Sequence, residues 1–138
     1  ALADFAAAIA IDPKKPIPYH ERGIIYGFKN EHDKAFREFS KAIELNPLFF
    51  EAYFNRGMAY GKLKEYDKAI TEFTKTIEIR PTFAKAWHLR GVAYAWKGEF
   101  DKAIADFSVV IKLEPKNSQA RRDFNVACAG KLGAPWFD

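Results

Sequence analysis

Apolar residues recur along this chain with the period of an α-helix, in stretches of about a dozen residues divided by short polar breaks. Residues 50–63 show the pattern and residues 67–79 show it again. Asp67 is placed to cap the second stretch, its carboxylate accepting from the free backbone N–H groups of the first turn. Pro81 closes that stretch, because proline cannot extend a helix. Lys64 stands in the turn between the two, with Asn30 and Gly98 at matching places. Asn and Gly suit a left-handed helix terminus, and Lys64 accepts strain there.

The whole unit repeats. Pro13, Pro47, Pro81 and Pro115 are spaced by 34 residues, as are Ala1, Ala35, Ala69 and Ala103, and Phe5, Phe39, Phe73 and Phe107. Gly23, Gly57 and Gly91 take the same step, and so do Tyr26, Tyr60 and Tyr94. Aromatics Tyr19, Tyr53 and Trp87 share one phase; Asp33, Asp67 and Asp101, each followed by Lys, share another. Gly57 on the first helix and Ala69 on the second mark where the two backbones approach, with Tyr60 and Phe73 filling the space around them. One such pair cannot bury its apolar face alone, so successive pairs must stack.

The run Tyr53, Arg56-Gly57, Tyr60, Ala69, Phe73 and Pro81 resembles the tetratricopeptide repeat, whose length is also 34 residues. The resemblance implies an all-α fold: a right-handed superhelical solenoid of antiparallel helix pairs with a C-terminal capping helix, about three quarters helical and without strands. The register divides a single domain, 1–138, into a half repeat (1–15, second helix only), full repeats at 16–49, 50–83 and 84–117, and a capping helix with tail (118–138). The last helix departs from the pattern. Arg121 replaces the aromatic, Asn125 the glycine and Cys128 the tyrosine, as suits a polar cap, and Trp136 and Phe137 are expected to fold back or to belong to a contact.

In this family the first helix of each pair lines a concave surface where partners lie. That placement puts His20, Ile24 and Phe28 in the groove, followed by Phe54, Asn55, Met58 and Lys62, then Lys85, His88, Val92 and Trp96, and finally Arg122 of the cap. Phe54, Met58 and Trp96 would be the central apolar contacts, outside the helix-pair core. One branch of the family grips a chaperone's terminal carboxylate with two Lys, two Asn and an Arg. Asn55 and Lys85 stand at matching places here, but His20 replaces a Lys, Ile24 an Asn and Leu89 the Arg.

The expected function is therefore a protein–protein interaction scaffold that takes a peptide or helix of a partner into the groove. The alternative is a self-assembly element. The apolar face of the first helix (Leu2, Phe5, Ile9) has no upstream partner, which would allow a homo-oligomer through the N-terminal half repeat; within the chain it is expected to pack on Tyr19 and Tyr26.

Composition narrows the reading without redirecting it. A net charge of +4, with no basic run longer than two residues, does not favour nucleic acid. No apolar run approaches the ~20 residues of a membrane span, so membrane insertion is not expected. The single cysteine forbids an internal disulfide, and its neighbours suggest a small buried hydrophobe. The chain opens with Ala1 in mid-pattern and shows no signal peptide, so compartment stays open, a soluble cytoplasmic setting being slightly favoured.

Nothing points to an enzyme or to a cofactor. Residues 57–62 loosely suggest a phosphate loop but are one residue short, lack the following Ser or Thr, and lie within a helix. His20 and His88 share a phase two repeats apart, a separation of about 20 Å at ordinary helix spacing, too far for one metal ion.

Overall fold

A computed structural model describes residues 1–132; the tail with Trp136 and Phe137 lies outside the described residues. Among those residues the chain forms eight helices and no strand: α1 (Leu2–Ile11), α2 (Pro16–Phe28), α3 (His32–Leu45), α4 (Phe50–Lys62), α5 (Tyr66–Ile79), α6 (Ala84–Trp96), α7 (Phe100–Leu113) and α8 (Ser118–Lys131). Each helix packs on the next, with α2/α3, α4/α5 and α6/α7 the tightest pairs, and α2, α4, α6 and α8 touch in turn along one face. This is an all-α helical repeat solenoid.

Two kinds of turn build it. Within each pair the chain reverses through a left-handed residue: Asn30 (φ 60°), Lys64 (φ 59°) or Gly98 (φ 79°). The following N–H, of Glu31, Glu65 or Glu99, reaches back to the carbonyl of Tyr26, Tyr60 or Tyr94 at 2.9, 3.0 and 2.9 Å, closing the helix end in a Schellman arrangement. Between pairs the helix stops on a non-helical residue, Asp12, Asn46, Arg80 or Glu114, each followed by proline, which disfavours helical geometry in its predecessor. The carbonyl of that proline accepts a hydrogen bond six residues on, from Tyr19 Oη (3.0 Å), Tyr53 Oη (3.1 Å), Trp87 Nε1 (2.8 Å) or Arg121 Nη2 (3.0 Å). Arg121 thus keeps the donor that the aromatic phase supplies elsewhere.

Asp67 is not the N-cap. Glu65 stands at the boundary, and Asp67 lies inside the first turn of α5 with its carboxylate on Lys97. The Schellman turn already fixes the entry, so an acidic residue there acts on the helix dipole and on the next repeat. The core follows the predicted phases: Ala35, Ala69 and Ala103 are fully buried beside Phe39, Phe73 and Phe107. Helix α1 is the least covered, with no buried side chain, though Ile9 joins the cluster of Tyr19, Ala42 and Ala52. Cys128 is half-buried rather than fully enclosed.

Candidate functional site

Helices α2, α4, α6 and α8 follow one another along the face expected to form the groove. Its most open apolar side chains are Phe28 (80% exposed), Ile17 (62%), Trp96 (49%) and Met58 (37%). Ile24, Asn55, His88 and Val92 are half-buried among them, and Lys62, Lys85 and Arg122 are exposed. Pockets follow the junctions between these helices. A small one of about 80 Å³ lies between α2 and α4, lined by Ile24, Gly27, Phe28, His32, Asn55 and Met58. A larger one of about 620 Å³ lies between α4 and α6, lined by Met58, Lys62, Tyr66, Leu89, Val92 and Trp96.

Two of the expected groove residues sit elsewhere. Phe54 is core, 8% exposed, clustered with Ala69, Phe73, Ile77 and Ala86, its ring 5.7 Å from that of Phe73 and edge-on to Phe83 at 4.9 Å. His20 occupies the same repeat position and is also buried, its ring 4.7 Å from Phe49 and 5.8 Å from Phe39. His88, the third copy, meets Phe107 edge-on at 5.6 Å. This position points at the phenylalanine of the partner helix, one residue short of the arc that faces the groove.

The histidines are used structurally. Asn55 Nδ2 donates to His20 Nε2 at 2.8 Å, and His88 Nε2 pairs with Asp123 Oδ2 at 2.6 Å, so each ties one groove helix to the next. Burial lowers the His20 pKa below its ordinary 6.5, outweighing the opposing pull of Glu21 and Glu51. Among the described residues no three His, Cys, Asp or Glu side chains gather as a metal ion would require.

Sequence reasoning passed over a second periodic set. Arg22, Arg56 and Arg90 each donate through Nε and Nη2 to a carboxylate on the partner helix, Glu38, Glu72 or Asp106, at distances of 2.6–3.1 Å. Arg56 and Arg90 also reach Ser40 Oγ and Thr74 Oγ1 of the preceding repeat, both at 3.1 Å. Burial pushes the Asp106 carboxyl up against the downward pull of Arg90, whose own pKa is raised by the same hydrogen bond. The signal was present in the spacing, since these residues obey the same 34-residue step.

Comparison with known proteins agrees with this architecture. A tetratricopeptide repeat model matches residues 50–83 and 84–117, and a second TPR repeat model matches residues 29–64. No curated protein sequence matches the chain. Among solved structures it resembles MamA at 24% identity over 95% of this chain and 77% of that one, with a TM-score of 0.87. It resembles the first TPR of Spaghetti (RPAP3), bound to the HSP90 peptide SRMEEVD, at 24% identity over 88% and 96%, with a TM-score of 0.82. These two likenesses bear on the fold alone. The Arabidopsis OM64 TPR domain shares 28% identity over 81% of this chain and 93% of its own, with a TM-score of 0.76.

Proposed function

The chain belongs to the tetratricopeptide repeat family, a family of non-enzymatic scaffolds for protein–protein interaction, and from that premise we propose that its concave groove takes a peptide or helix of a partner protein. The observation that carries the reading is the exposed apolar stripe of Phe28, Met58 and Trp96 on helices whose packing is already satisfied by Gly23, Gly57 and Gly91 and the phenylalanines behind them. Large side chains left in water along one concave line suit an anchor surface, where a few residues carry most of the binding energy.

A terminal-carboxylate clamp is a poorer fit. The RPAP3 domain binds a peptide ending in EEVD, but here Ile24 and Leu89 stand at clamp places, and the Asn55 amide is engaged by His20. The groove is better suited to an apolar or amphipathic segment, with Lys85 and Arg122 at its exposed margin. Partner capture from the source organism tests this, comparing wild type with Phe28→Ser/Lys85→Glu in the groove and Lys75→Glu on α5. Proteins lost with the groove variant and kept with the α5 variant are the expected result; the reverse refutes it.

Association between copies through α1 is a second reading, favoured by that helix having no buried side chain. Sedimentation across a wide concentration range tests it, and a monomer throughout would remove it.

A further inference from the structure

The three junctions between successive groove helices use equivalent repeat positions, yet they are not alike. At the last junction Phe100 turns inward: a Cβ placed on Gly130 would come within 2.6 Å of its ring. Ala95 beside it is fully buried. At the middle junction the counterparts of Phe100, Gly130 and Ala95 are Tyr66, Trp96 and Gly61. Trp96 occupies the space into which the ring would turn, so Tyr66 lies against it as a parallel stack, centroids 6.3 Å apart and planes within 6°. Gly61 adds no side chain, and a Cβ there would meet nothing within 4 Å. The outcome is the 620 Å³ cavity between α4 and α6, walled by the stack and by Met58, Leu89 and Val92. At the first junction Lys62 and His32 take the equivalent places, and only about 80 Å³ is left.

The rim is basic. Lys62 and Lys64 both line the cavity, are exposed, and have no ion-pair partner among the described residues, whereas nearby Lys97 is engaged by Asp67 and Glu99. An apolar chamber in the size range of ligand sites, about 300–1,000 Å³, with two uncompensated cations at its mouth calls for an occupant that is apolar at the tip and anionic beside it.

We propose that the cavity between α4 and α6 is the anchor site of the groove, receiving a leucine or aromatic side chain of a partner peptide that carries an aspartate or glutamate within two residues, held by Lys62 and Lys64. This rests on the concave-groove reading and sharpens it to one site and one peptide chemistry. Leucine or an aromatic suits walls made of a Trp–Tyr stack and aliphatic side chains. The carboxylate supplies the charge complementarity that sets register and speeds encounter.

Selection of a random phage-displayed peptide library on the full chain tests the proposal. Fluorescence anisotropy with a fluorescein-labelled synthetic copy of the strongest peptide follows. The expected consensus pairs a bulky apolar residue with a nearby acid. Gly61→Leu, which fills the cavity from an unobstructed helix position, should weaken binding about tenfold or more, as should replacing the peptide's anchor by Ala. Lys62→Glu/Lys64→Glu should weaken it comparably and leave the fold intact, since both side chains are exposed. Circular dichroism confirms that each variant is folded. Binding lost in Phe28→Ser/Lys85→Glu yet indifferent to Gly61→Leu would overturn the anchor site while the groove reading stands. Binding indifferent to every groove change would overturn both. A basic or wholly polar consensus, or a chain whose self-association is abolished by Gly61→Leu, would replace the proposed occupant with another.

Discussion

Adding the same methyl group at two glycines of one helix should move stability in opposite directions. Gly57 and Gly61 are one turn apart on α4. Alanine in place of glycine restricts the unfolded chain and improves helix propensity, a gain of about 0.5–1 kcal/mol wherever the methyl fits. At Gly61 it fits, because a Cβ meets nothing within 4 Å. At Gly57 it would lie 2.8 Å from Phe73 Cε1 and 3.0 Å from Glu72 Cβ. Neither neighbour gives way easily. Phe73 is 3% exposed and packed on Phe54, and Glu72 Cβ is fixed to the α5 backbone by a side chain that Arg56 holds from two nitrogens. The two helices must separate, and overpacking of this kind costs about 1–3 kcal/mol, more than the propensity gain. Gly57→Ala should therefore lose about 1–2 kcal/mol and Gly61→Ala should gain up to about 1 kcal/mol. Urea unfolding measures both, provided the slope m is unchanged so that midpoints compare directly. If Gly57→Ala stabilises the chain as Gly61→Ala does, the α4–α5 contact is not close and the role assigned to Gly23, Gly57 and Gly91 is wrong.

Phe54→Ala should cost about 3–5 kcal/mol as a core cavity, whereas Trp96→Ala, half in solvent, should cost about 1 kcal/mol in urea unfolding. Equal losses would place Trp96 in the core. Arg90→Met strands a nearly buried carboxylate and should cost about 3 kcal/mol or more, much of it recovered in Arg90→Met/Asp106→Leu; a double mutant no more stable than the single would deny the pairing penalty. Because burial lowers the folded-state pKa of His20, its contribution is fully present above the ordinary value of 6.5 and is lost as pH falls from there toward the folded pKa. Unfolding midpoints should therefore drop on acidification by less in His20→Gln than in wild type, and identical pH profiles would show that His20 is not held neutral. Lys64→Gly relieves a left-handed backbone at φ 59° and should raise stability by about 1 kcal/mol, read from the melting temperature.

The fold was legible because the spacing of Pro, Gly, Ala and Phe encodes contacts that each repeat must make: small where backbones meet, large where they leave a gap, proline where a helix must stop. The site was legible only in part. Position 54 lies next to groove position 55, and on a helix one residue turns the side chain by about 100°, enough to send Phe54 onto Phe73 while Asn55 faces the groove margin. Asp67 misled for a related reason: a capping residue type was visible, but the Schellman turn through Lys64 had already settled where α5 begins. The arginine–carboxylate pairs bridge partners 16 residues apart, beyond the reach of a search for local motifs. Cavity size is more remote still, since it depends on how Tyr66 and Trp96 settle against each other.

The repeats of one chain act as controls for one another. Where a side chain is held between helices the copies agree: Arg22, Arg56 and Arg90; Ala35, Ala69 and Ala103; Phe39, Phe73 and Phe107. On the concave face they diverge: Glu21, Asn55 and Leu89; Ile24, Met58 and Val92; Phe28, Lys62 and Trp96. Packing explains the agreement, because a close interior is felt to within a methylene. It does not explain the divergence, since a face used only as a solvated surface would not need Phe28 and Trp96 in the very phase that carries Lys62. A single such exchange decides how space is distributed: Gly130 admits Phe100, while Trp96 holds Tyr66 outward and leaves the middle junction open. The scaffold is thus common to all three repeats, and what distinguishes this protein's groove resides in the few positions where those repeats differ.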